Sequence, residues 1–552
     1  MPSFAGDQAH RLESSATPSA GRRRAQRLAI EPRERAEVKR ILSAPTPAEP
    51  LRIGGLTKRD RDVPWWLHLS VAAASLVVIA SWVVIAVVHV HDTYAVDHVA
   101  GAWMALAQYV DHGVLYPRLF DGSAFGGTRY MPFQFVTTAG VARITGEYLV
   151  AGKLVTYASA LFLLFVLFVL CRRLSRSTLL ALGLTGALLS TRAVVGDAST
   201  IQGDVLPVAL QLSALYLATG PRGEPSDRST VTAAALCALA FFCKLTAVWA
   251  PIAIAFWLVR RSRRRLAIFT ASFLGFVVLL FAIFEVASDG RMLDNLTALT
   301  LGGERLGPVQ SMTKFVTLGQ QSATALWILA PFSVAAFAMG VARRRLDPFL
   351  LSLPVAVAIL FAALRDIGAD ANHFIDVEAL TAVVIADGIG MVGTAARRLV
   401  LPLALTAVLW AMATSYAVGP RHDTATAVRI AIGHERGPGA RPLPTTVTAA
   451  DRILSEDPYV DVSRGRRPVV LDPFMLLRIE EKHPRWQAEL IRRIDRRAFT
   501  KVVTEYPLDS SRWWRFHHFG APVVAAILRS YRLVPVNDGA SSFGTYLVYE
   551  PR

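Results

Sequence analysis

The feature that most constrains this chain is a series of long apolar blocks with almost no charge. The first runs from Trp65 to Val90, and similar blocks recur as far as residue 418. Most are about 17 to 25 residues long, the length at which an α-helix crosses a hydrocarbon core. Hydrophobic residues make up 53% of the 552 residues and charged residues only 18%, which argues against an ordinary soluble protein. The sequence therefore predicts an integral, multi-pass membrane protein.

The span-length criterion gives about eleven membrane-spanning helices. The predicted spans are 65–90, 148–170, 178–195, 202–219, 230–243, 246–259, 266–286, 323–341, 348–364, 377–393 and 399–418. The first block is too long for a signal-peptide core, so we expect it to be a retained anchor. Lys244 separates two of the shorter blocks. These form two spans if this charge lies at the outer surface, which we expect, and one long kinked helix otherwise.

Clusters of arginine at the ends of the blocks give the spans a direction. Alternate connections carry these clusters: Arg172 and Arg173, Arg222, Arg260, Arg261, Arg263, Arg264 and Arg265, Arg343, Arg344 and Arg345, and Arg397 and Arg398. By the positive-inside rule the N-terminus is cytoplasmic. An odd number of spans then places residues 91–147, 287–322 and 419–552 outside. Topology thus accounts for the formal charge of +17, and we expect no nucleic-acid partner.

The chain divides into three predicted parts. Residues 1–62 are rich in Arg, Glu, Pro, Ala and Ser and are expected to form a disordered, basic, cytoplasmic tail. Residues 63–418 form the transmembrane domain. In residues 419–552, strand-like runs alternate with helical stretches, which predicts a small extracytoplasmic α/β domain. The strand-like runs are 468–471, 501–504 and 545–549, and the clearest helical stretch is 484–497.

Two carboxylates open the long loop 91–147, just beyond the first span. Asp92 and Asp97 lie five residues apart, in a position that suits a general base, although a solvated loop start would look the same. With His91 and His98 they also offer a possible site for a divalent cation, but their spacing defines no ligand set, so we assign no metal. After Val96 the pattern predicts an amphipathic helix lying on the membrane, with Trp103, Leu106 and Val110 on one face.

Several basic residues are placed by this topology at the outer surface, where they could face a phosphate. Arg129 follows a glycine turn and precedes Tyr130, and a guanidinium there suits either phosphate binding or anchoring at the membrane interface. Lys244 could bind a phosphate or snorkel to the lipid headgroups. The further candidates are Arg305, Lys314 and Arg365.

Two outer connections hold most of the remaining polar residues. The segment 365–376 gathers Arg365, acids, Asn372 and His373 within a dozen positions, which indicates either a binding site or a hydrated turn. In the other connection Asp204 opens a span, where it could contact a substrate or, as we expect, cap the helix N-terminus.

Taken in order, these motifs resemble the GT-C superfamily of membrane glycosyltransferases, in particular the branch with protein O-mannosyltransferases and lipid A aminoarabinose transferase. The resemblance covers roughly residues 65–550. It rests on an acid opening the first loop, on two aromatic-proline motifs, on a Gly-Asp pair at a span start, and on a lysine between short spans. These are Asp97, Leu115-Tyr116-Pro117, Tyr130-Met131-Pro132, Gly203-Asp204 and Lys244. The chain departs from the pattern at His98, where many relatives have a second acid, so the choice between Asp92 and Asp97 stays open.

The resemblance implies transfer of a hexosyl or pentosyl group from a polyprenyl-phosphate donor to an extracytoplasmic glycan, lipid or protein, with inversion. The implied setting is a bacterial plasma membrane, with membrane lipids as further partners and no certain cofactor, although a divalent cation stays possible. The implied roles are Asp97 or Asp92 as general base, donor-phosphate binding by Arg129, Lys244 and Arg365, and substrate binding by Tyr130, Asn372, His373 and Asp204.

Two other classes of function remain open. A transporter or lipid flippase would carry ionisable residues near the bilayer midplane, interrupted spans and two related halves, and the sequence shows no convincing repeat. The second class is a non-catalytic membrane scaffold that displays the C-terminal domain. Asp97 distinguishes it from an enzyme, because only an enzyme requires this carboxylate.

Overall fold

The computed structural model describes residues 60, 63–220, 225–299, 305–433, 442–509, 518–534 and 545–552. Apart from residue 60, the predicted tail 1–62 lies outside the described residues. From Ile53 to Arg552 the chain forms one compact unit, in which the predicted transmembrane and C-terminal parts pack together.

Helices account for most of the described chain as far as residue 433. The first nine are α1 (Trp65–Val88), α2 (His98–Asp111), α3 (Pro132–Thr145), α4 (Tyr148–Ser175), α5 (Thr178–Leu189), α6 (Arg192–Ser199), α7 (Val205–Thr219), α8 (Asp227–Cys243) and α9 (Trp249–Arg261). The next eight are α10 (Arg263–Ala287), α11 (Arg291–Leu299), α12 (Pro308–Ser322), α13 (Thr324–Ala342), α14 (Pro348–Leu364), α15 (Phe374–Met391), α16 (Thr394–Val418) and α17 (Pro420–Ala431).

Each predicted apolar block contains a helix, but fewer helices than eleven are long and apolar enough to cross a membrane unaided. Among the described residues five meet both conditions, namely α1, α4, α10, α13 and α16. The total of eleven spans therefore stays a prediction. The outward-facing helix α10 shows what solvent the fold requires, because only 6% of its most apolar window is buried inside the protein. Exposing such a helix to water would be unfavourable, whereas hydrocarbon accommodates it.

The block 178–195 is not the continuous span that we expected. Its helix ends at Leu189, and α6 leaves at an angle of 72° to α5. The cause is local hydrogen bonding: the Thr191 hydroxyl donates to the Leu188 carbonyl at 3.0 Å and accepts from the Val194 amide at 3.4 Å, so it caps α6. A carboxyl oxygen of Glu378 on α15 lies 3.1 Å from the same hydroxyl. The break is thus capped by local hydrogen bonds and also contacts a residue that is distant in sequence.

Lys244 separates two helices, as we predicted, and does not lie within one kinked helix. Its backbone is extended, with φ −153° and ψ 123°, and it ends α8. The Ala247 amide then donates to the Lys244 carbonyl at 2.9 Å, which closes a turn before α9 begins at Trp249. This turn leaves the lysine side chain outside both helices.

The C-terminal region, 442–552, is built around a small sheet. Its elements are β1 (Ile453–Ser455), α18 (Tyr459–Val462), α19 (Pro473–Lys482), α20 (Pro484–Asp495), β2 (Lys501–Thr504), α21 (Gly520–Ser530), β3 (Tyr531–Val534) and β4 (Leu547–Pro551). The strand order is β1-β2-β4-β3; β1 and β2 are parallel, and the other two pairs are antiparallel. The predicted strand 468–471 is absent from this sheet. Instead Val470 forms an isolated bridge with Phe125, and the chain turns into α19 at Pro473.

The helix α2 lies beneath this region and is not a surface helix, so the amphipathic prediction was wrong. Every residue from Ala100 to Tyr109 is buried. Gly101 lies against the C-terminal region so closely that an added Cβ would lie 2.9 Å from the Tyr459 amide nitrogen. The Ala-rich composition that we read as one apolar face in fact packs on all sides. The start of α2, where Asp97 lies, is thereby fixed between membrane helices and sheet.

Candidate functional site

A cavity of about 810 Å³ lies where α2, the breaks before α7 and after α8, the loop 365–373 and the C-terminal region meet. Most of the side chains that we predicted for a site line it together. They are Asp97, Arg129, Tyr130, Asp204, Lys244, Arg365, Asn372 and His373. Because these residues come from five separate segments, their convergence is a property of the fold and not of any one motif.

Asp97 is the N-cap of α2 and lies half-buried on the cavity wall. Its Oδ1 accepts a hydrogen bond from the Ala100 amide at 3.0 Å. The positive end of the helix dipole and this amide both favour the ionised carboxylate. Asp97 therefore has the position and the fixed orientation that a general base needs.

Asp92, the alternative base, does not line this cavity. Its carboxylate faces the end of α1, where Oδ2 lies 2.6 Å from His89 Nδ1 and Oδ1 accepts from the Tyr94 amide at 2.9 Å. The buried ammonium of Lys153 donates to the Asp92 carbonyl at 2.6 Å. Burial raises the pKa of Asp92, but the His89 hydrogen bond and the nearby charges outweigh it and hold the pKa below its ordinary value. These contacts indicate that Asp92 joins α1 to α4.

Arg129 is held in place on two sides. Its Nη1 lies 2.8 Å from Asp366 Oδ2, and its guanidinium lies over the Phe474 ring, 5.4 Å from the centroid. The Lys314 ammonium lies near the same loop and donates to the carbonyls of Asp366 and Ile367 at 3.0 and 2.9 Å. Burial lowers the pKa of Lys314. The Arg129 guanidinium is thus fixed at the cavity, and it has N–H donors beyond the one that Asp366 accepts.

Lys244 and Asp204 form an ion pair of 2.6 Å, and both side chains are largely buried. We expected Asp204 to cap a helix, but at the start of α7 its side chain accepts no capping hydrogen bond. The alternative expected for Lys244 was contact with the lipid headgroups, but its side chain lines the cavity. The pair joins the break after α8 to the start of α7.

Asn372 and His373 occupy a short 3₁₀ turn, Ala371–His373, immediately before α15. Burial lowers the pKa of His373 to about 3; the charges of Lys244, Arg129 and Lys314 act in the same direction, and Asp204 opposes them. The imidazole is therefore neutral and can both donate and accept a hydrogen bond. The Asn372 Oδ1 is buried and accepts no hydrogen bond from the described residues. Neutral groups of this kind suit the hydroxyls of a sugar.

Several lining residues were not among our predicted site residues. Asp197 is buried on α6, and the Gln202 amide, turned so that its nitrogen faces the carboxylate, donates to it at 2.9 Å. The Trp103 ring stacks on Tyr130 with centroids 4.4 Å apart. Asp472, the N-cap of α19, and His518 reach the cavity from the C-terminal region. The outer-end position of Asp197 was a usable signal, whereas nothing local in the sequence points to Asp472 or His518.

The possible cation site at His91, Asp92, Asp97 and His98 is not assembled. Asp92 engages His89, and His98 Nδ1 lies 3.0 Å from Glu505. Among the residues that the structure describes, no group of three or more His, Cys, Asp or Glu side chains is arranged to hold a metal ion.

Comparisons with known proteins agree with this architecture. The sequence profile of glycosyltransferase family 87 matches residues 129–365. The structure of ArnT from Cupriavidus metallidurans bound to undecaprenyl phosphate aligns with a TM-score of 0.55 and 13% identity, over 88% of this chain and 97% of that one. Its apo form gives 0.55 and 14% over the same shares.

A third similar structure is the oligosaccharyltransferase of Archaeoglobus fulgidus in its apo form. It aligns with a TM-score of 0.52 and 12% identity, over 85% of this chain and 73% of that one. No curated protein matches this chain. At identities this low, the structural alignments establish a shared fold and no more. The family profile supports glycosyltransferase activity in general. The chain thus shares its fold with the ArnT and oligosaccharyltransferase structures, and residues 129–365 resemble glycosyltransferase family 87.

Proposed function

We propose that this protein transfers a hexosyl or pentosyl group from a polyprenyl-phosphate donor to an extracytoplasmic glycan, lipid or protein, with inversion at the anomeric carbon. The observation that carries the proposal is the cavity that is lined by both the helix-capping carboxylate of Asp97 and several cations. The undecaprenyl phosphate bound to the similar ArnT structure supports a lipid-linked donor. A divalent cation is not needed for the steps below.

Asp97 is the proposed general base. It removes the proton from the acceptor O–H or N–H, and the freed electron pair attacks the anomeric carbon. The bond between that carbon and the phosphate oxygen breaks, and the lipid phosphate leaves with the bonding pair. A single displacement from the face opposite the phosphate inverts the configuration. One carboxylate is sufficient for this reaction, because the phosphate is already a good leaving group.

Arg129 and Arg365 are the proposed donor-phosphate ligands, with Lys244, Lys314 and Arg305 on the same walls. Charge that develops on the leaving phosphate is stabilised by donors that are oriented before the reaction begins. Arg129 meets this condition because Asp366 and Phe474 fix its guanidinium. Lys244 is the third proposed phosphate ligand, and its pair with Asp204 fixes its position on the wall.

Sugar recognition is assigned to Tyr130, Asn372, His373 and Asp204. Tyr130 offers a ring stacked on Trp103, and the other three offer hydrogen-bonding atoms around the Lys244 pair. Such a site discriminates by hydrogen bonding to hydroxyls, which a mismatched sugar leaves unpaired. We place the cavity and the C-terminal region outside the cytoplasm and the N-terminus inside, with membrane lipids around α10.

The test compares two aspartate variants of the full-length protein in membranes supplied with polyprenyl-phosphate sugars. Asp97→Asn should abolish transfer and leave folding intact, because the amide still caps α2. Asp92→Asn should retain transfer and lower the melting temperature, because its partners are His89 and Lys153. Full transfer by Asp97→Asn together with loss in Asp92→Asn would assign the base to Asp92. No transfer by wild type from any lipid-linked donor would overturn the proposed function.

A further inference from the structure

Two glutamates follow the parallel strands of the C-terminal sheet. Glu456 directly follows β1 and Glu505 directly follows β2. Because these strands are parallel, both glutamates lie at the same end of the sheet. The Glu456 Oε2 accepts a hydrogen bond from the Glu505 amide at 2.8 Å. Both carboxyl groups are only 1% exposed. Two carboxylates buried this close together require positive or donating partners.

Two histidines are among those partners and reach the cavity. His98 Nδ1 lies 3.0 Å from Glu505 Oε2, and His518 Nδ1 lies 2.7 Å from Glu456 Oε1. The imidazole rings meet edge to face, with centroids 4.5 Å apart. We refer to Glu456, Glu505, His98 and His518 as the Glu-His cluster. Since both histidines line the cavity, this cluster connects the C-terminal sheet to the proposed catalytic site.

The position of His98 is unfavourable for a cation unless Glu505 is present. It is the first residue of α2, where the helix dipole favours negative charge, and its ring is largely buried. Burial lowers the pKa of His98, but Glu505, Asp97 and Asp472 outweigh it and raise the pKa to about 10. At neutral pH the ring is therefore an imidazolium next to Asp97.

A cation at this place matters because the surrounding wall is rich in carboxylates. Asp97, Asp197, Asp204 and Asp472 all line the cavity. Of the lining cations, Lys244 pairs with Asp204 and Arg129 with Asp366, and Arg305, Lys314 and Arg365 also line the cavity. Among the described residues, the charged and titratable groups that face His98 include Asp97 on its own turn and Glu505, Asp472 and His518 from the C-terminal region. His98 is thus the imidazolium on the side of the cavity that holds the base.

We propose that the Glu505–His98 pair is a positioning device through which the C-terminal sheet keeps the Asp97 carboxylate ionised and ready to accept a proton. This inference rests on the proposed function, in which Asp97 is the base. It gives the C-terminal region a part in the reaction, since without Glu505 the Asp97 carboxylate would lie beside a neutral ring. Neither Glu505 nor His98 needs to touch the substrate for this effect.

The pH dependence of transfer tests the pair. In Glu505→Gln and His98→Asn the loss of the imidazolium should raise the proton affinity of Asp97, because neighbouring carboxylates then dominate. The acidic limb of the kcat/KM profile should move upward by about one pH unit or more, and activity should return at alkaline pH. Glu505→Asp should shift the limb less, since it retains the charge. A uniform loss at every pH would mean a purely structural role and would overturn the proposal.

A matched control and a second measurement separate this inference from the proposed function. Glu480 is another buried glutamate of the C-terminal region; it accepts a hydrogen bond from Gln487 and is not among the residues that line the cavity, so Glu480→Gln should leave the profile unchanged. NMR titration of histidine-labelled protein should show His98 protonated at pH 8 in wild type and neutral in Glu505→Gln. If wild type transfers no sugar, the proposed function fails, and a neutral His98 in wild type at pH 8 would independently refute the pair.

Discussion

Lys244 and Asp204 lie 2.6 Å apart on the wall of the cavity, with 14% and 13% of their side chains exposed. One stands in the turn between two short helices and the other at the start of a third. Because both charges are removed from bulk water, each depends on the other more than the members of a surface pair do. The relationship therefore predicts how the two residues respond to substitution.

We expect Lys244→Met to lower the unfolding free energy by about 3 kcal/mol, since it leaves the Asp204 carboxylate buried without a cation. The double variant Lys244→Met with Asp204→Asn should recover most of that loss. Melting temperatures of the detergent-solubilised variants measure both effects. The Arg264–Asp227 pair has the same 2.6 Å distance but is exposed, so Asp227→Asn should cost at most about 1 kcal/mol. Strictly additive single and double losses would contradict a coupled pair.

Arg129 should matter for the donor more than for folding. Arg129→Ala removes the guanidinium that we propose binds the donor phosphate, so the apparent donor KM should rise about tenfold or more. Arg129→Lys should give an intermediate value, because it keeps the charge and loses the guanidinium fork. The control is Arg143→Ala, which breaks an ion pair of the same 2.8 Å length with Asp111 away from the cavity. Equal donor titrations for Arg129→Ala and wild type would return Arg129 to an anchoring role.

His373 predicts a loss of stability in mild acid. Its pKa is about 3 in the folded protein, whereas an unfolded histidine titrates near 6.5. As the pH falls below about 6.5, the unfolded chain binds a proton that the folded chain does not, so the folded state is progressively disfavoured. Between pH 7 and pH 5 the melting temperature of wild type should therefore fall more steeply than that of His373→Gln. Parallel curves for the two proteins would show that His373 is protonated when folded.

The sequence was informative wherever the deciding property is local. Apolar blocks of membrane-spanning length and a charge between two short blocks predicted the helices and the turn at Lys244. The predicted topology put Asp97, Asn372 and Arg129 at the outer ends of the spans, and all three line one cavity in the structure. Each of these inferences needs only the composition of a short segment and the order of the segments along the chain.

The remaining features depend on partners that are distant in the chain. Glu505 contacts His98 across 407 positions, and no pattern near either residue indicates the other. The break between α5 and α6 contains no proline, and the Thr191 hydroxyl at that break is bonded to Glu378, 187 positions away. The burial of α2 likewise depends on a C-terminal region that the amphipathic pattern could not anticipate. These features depend on packing between segments that are distant in the chain, and local sequence patterns do not reveal which segments pack together.

The close contact between α15 and the end of α4 predicts that an alanine at Gly390 destabilises the protein. A Cβ added at Gly390 would lie 2.2 Å from the Leu174 backbone carbonyl, which cannot move without displacing α4. Gly390→Ala should therefore destabilise the protein by about 1 to 3 kcal/mol through overpacking. Gly275 on the outward-facing α10 is the matched control, because a Cβ there meets no described atom within 4 Å.

Alanine at Gly275 should leave stability unchanged or raise it by about 1 kcal/mol, since alanine favours the helix. Melting temperatures of both variants, measured in the same detergent, test this prediction. Gly390→Ala should melt below wild type, and Gly275→Ala should melt at or above it. Equal melting temperatures would mean that α15 and α4 do not approach each other at Gly390. A fall for Gly275→Ala alone would instead place α10 against another protein surface, because substitution at a lipid-facing glycine meets only fluid hydrocarbon.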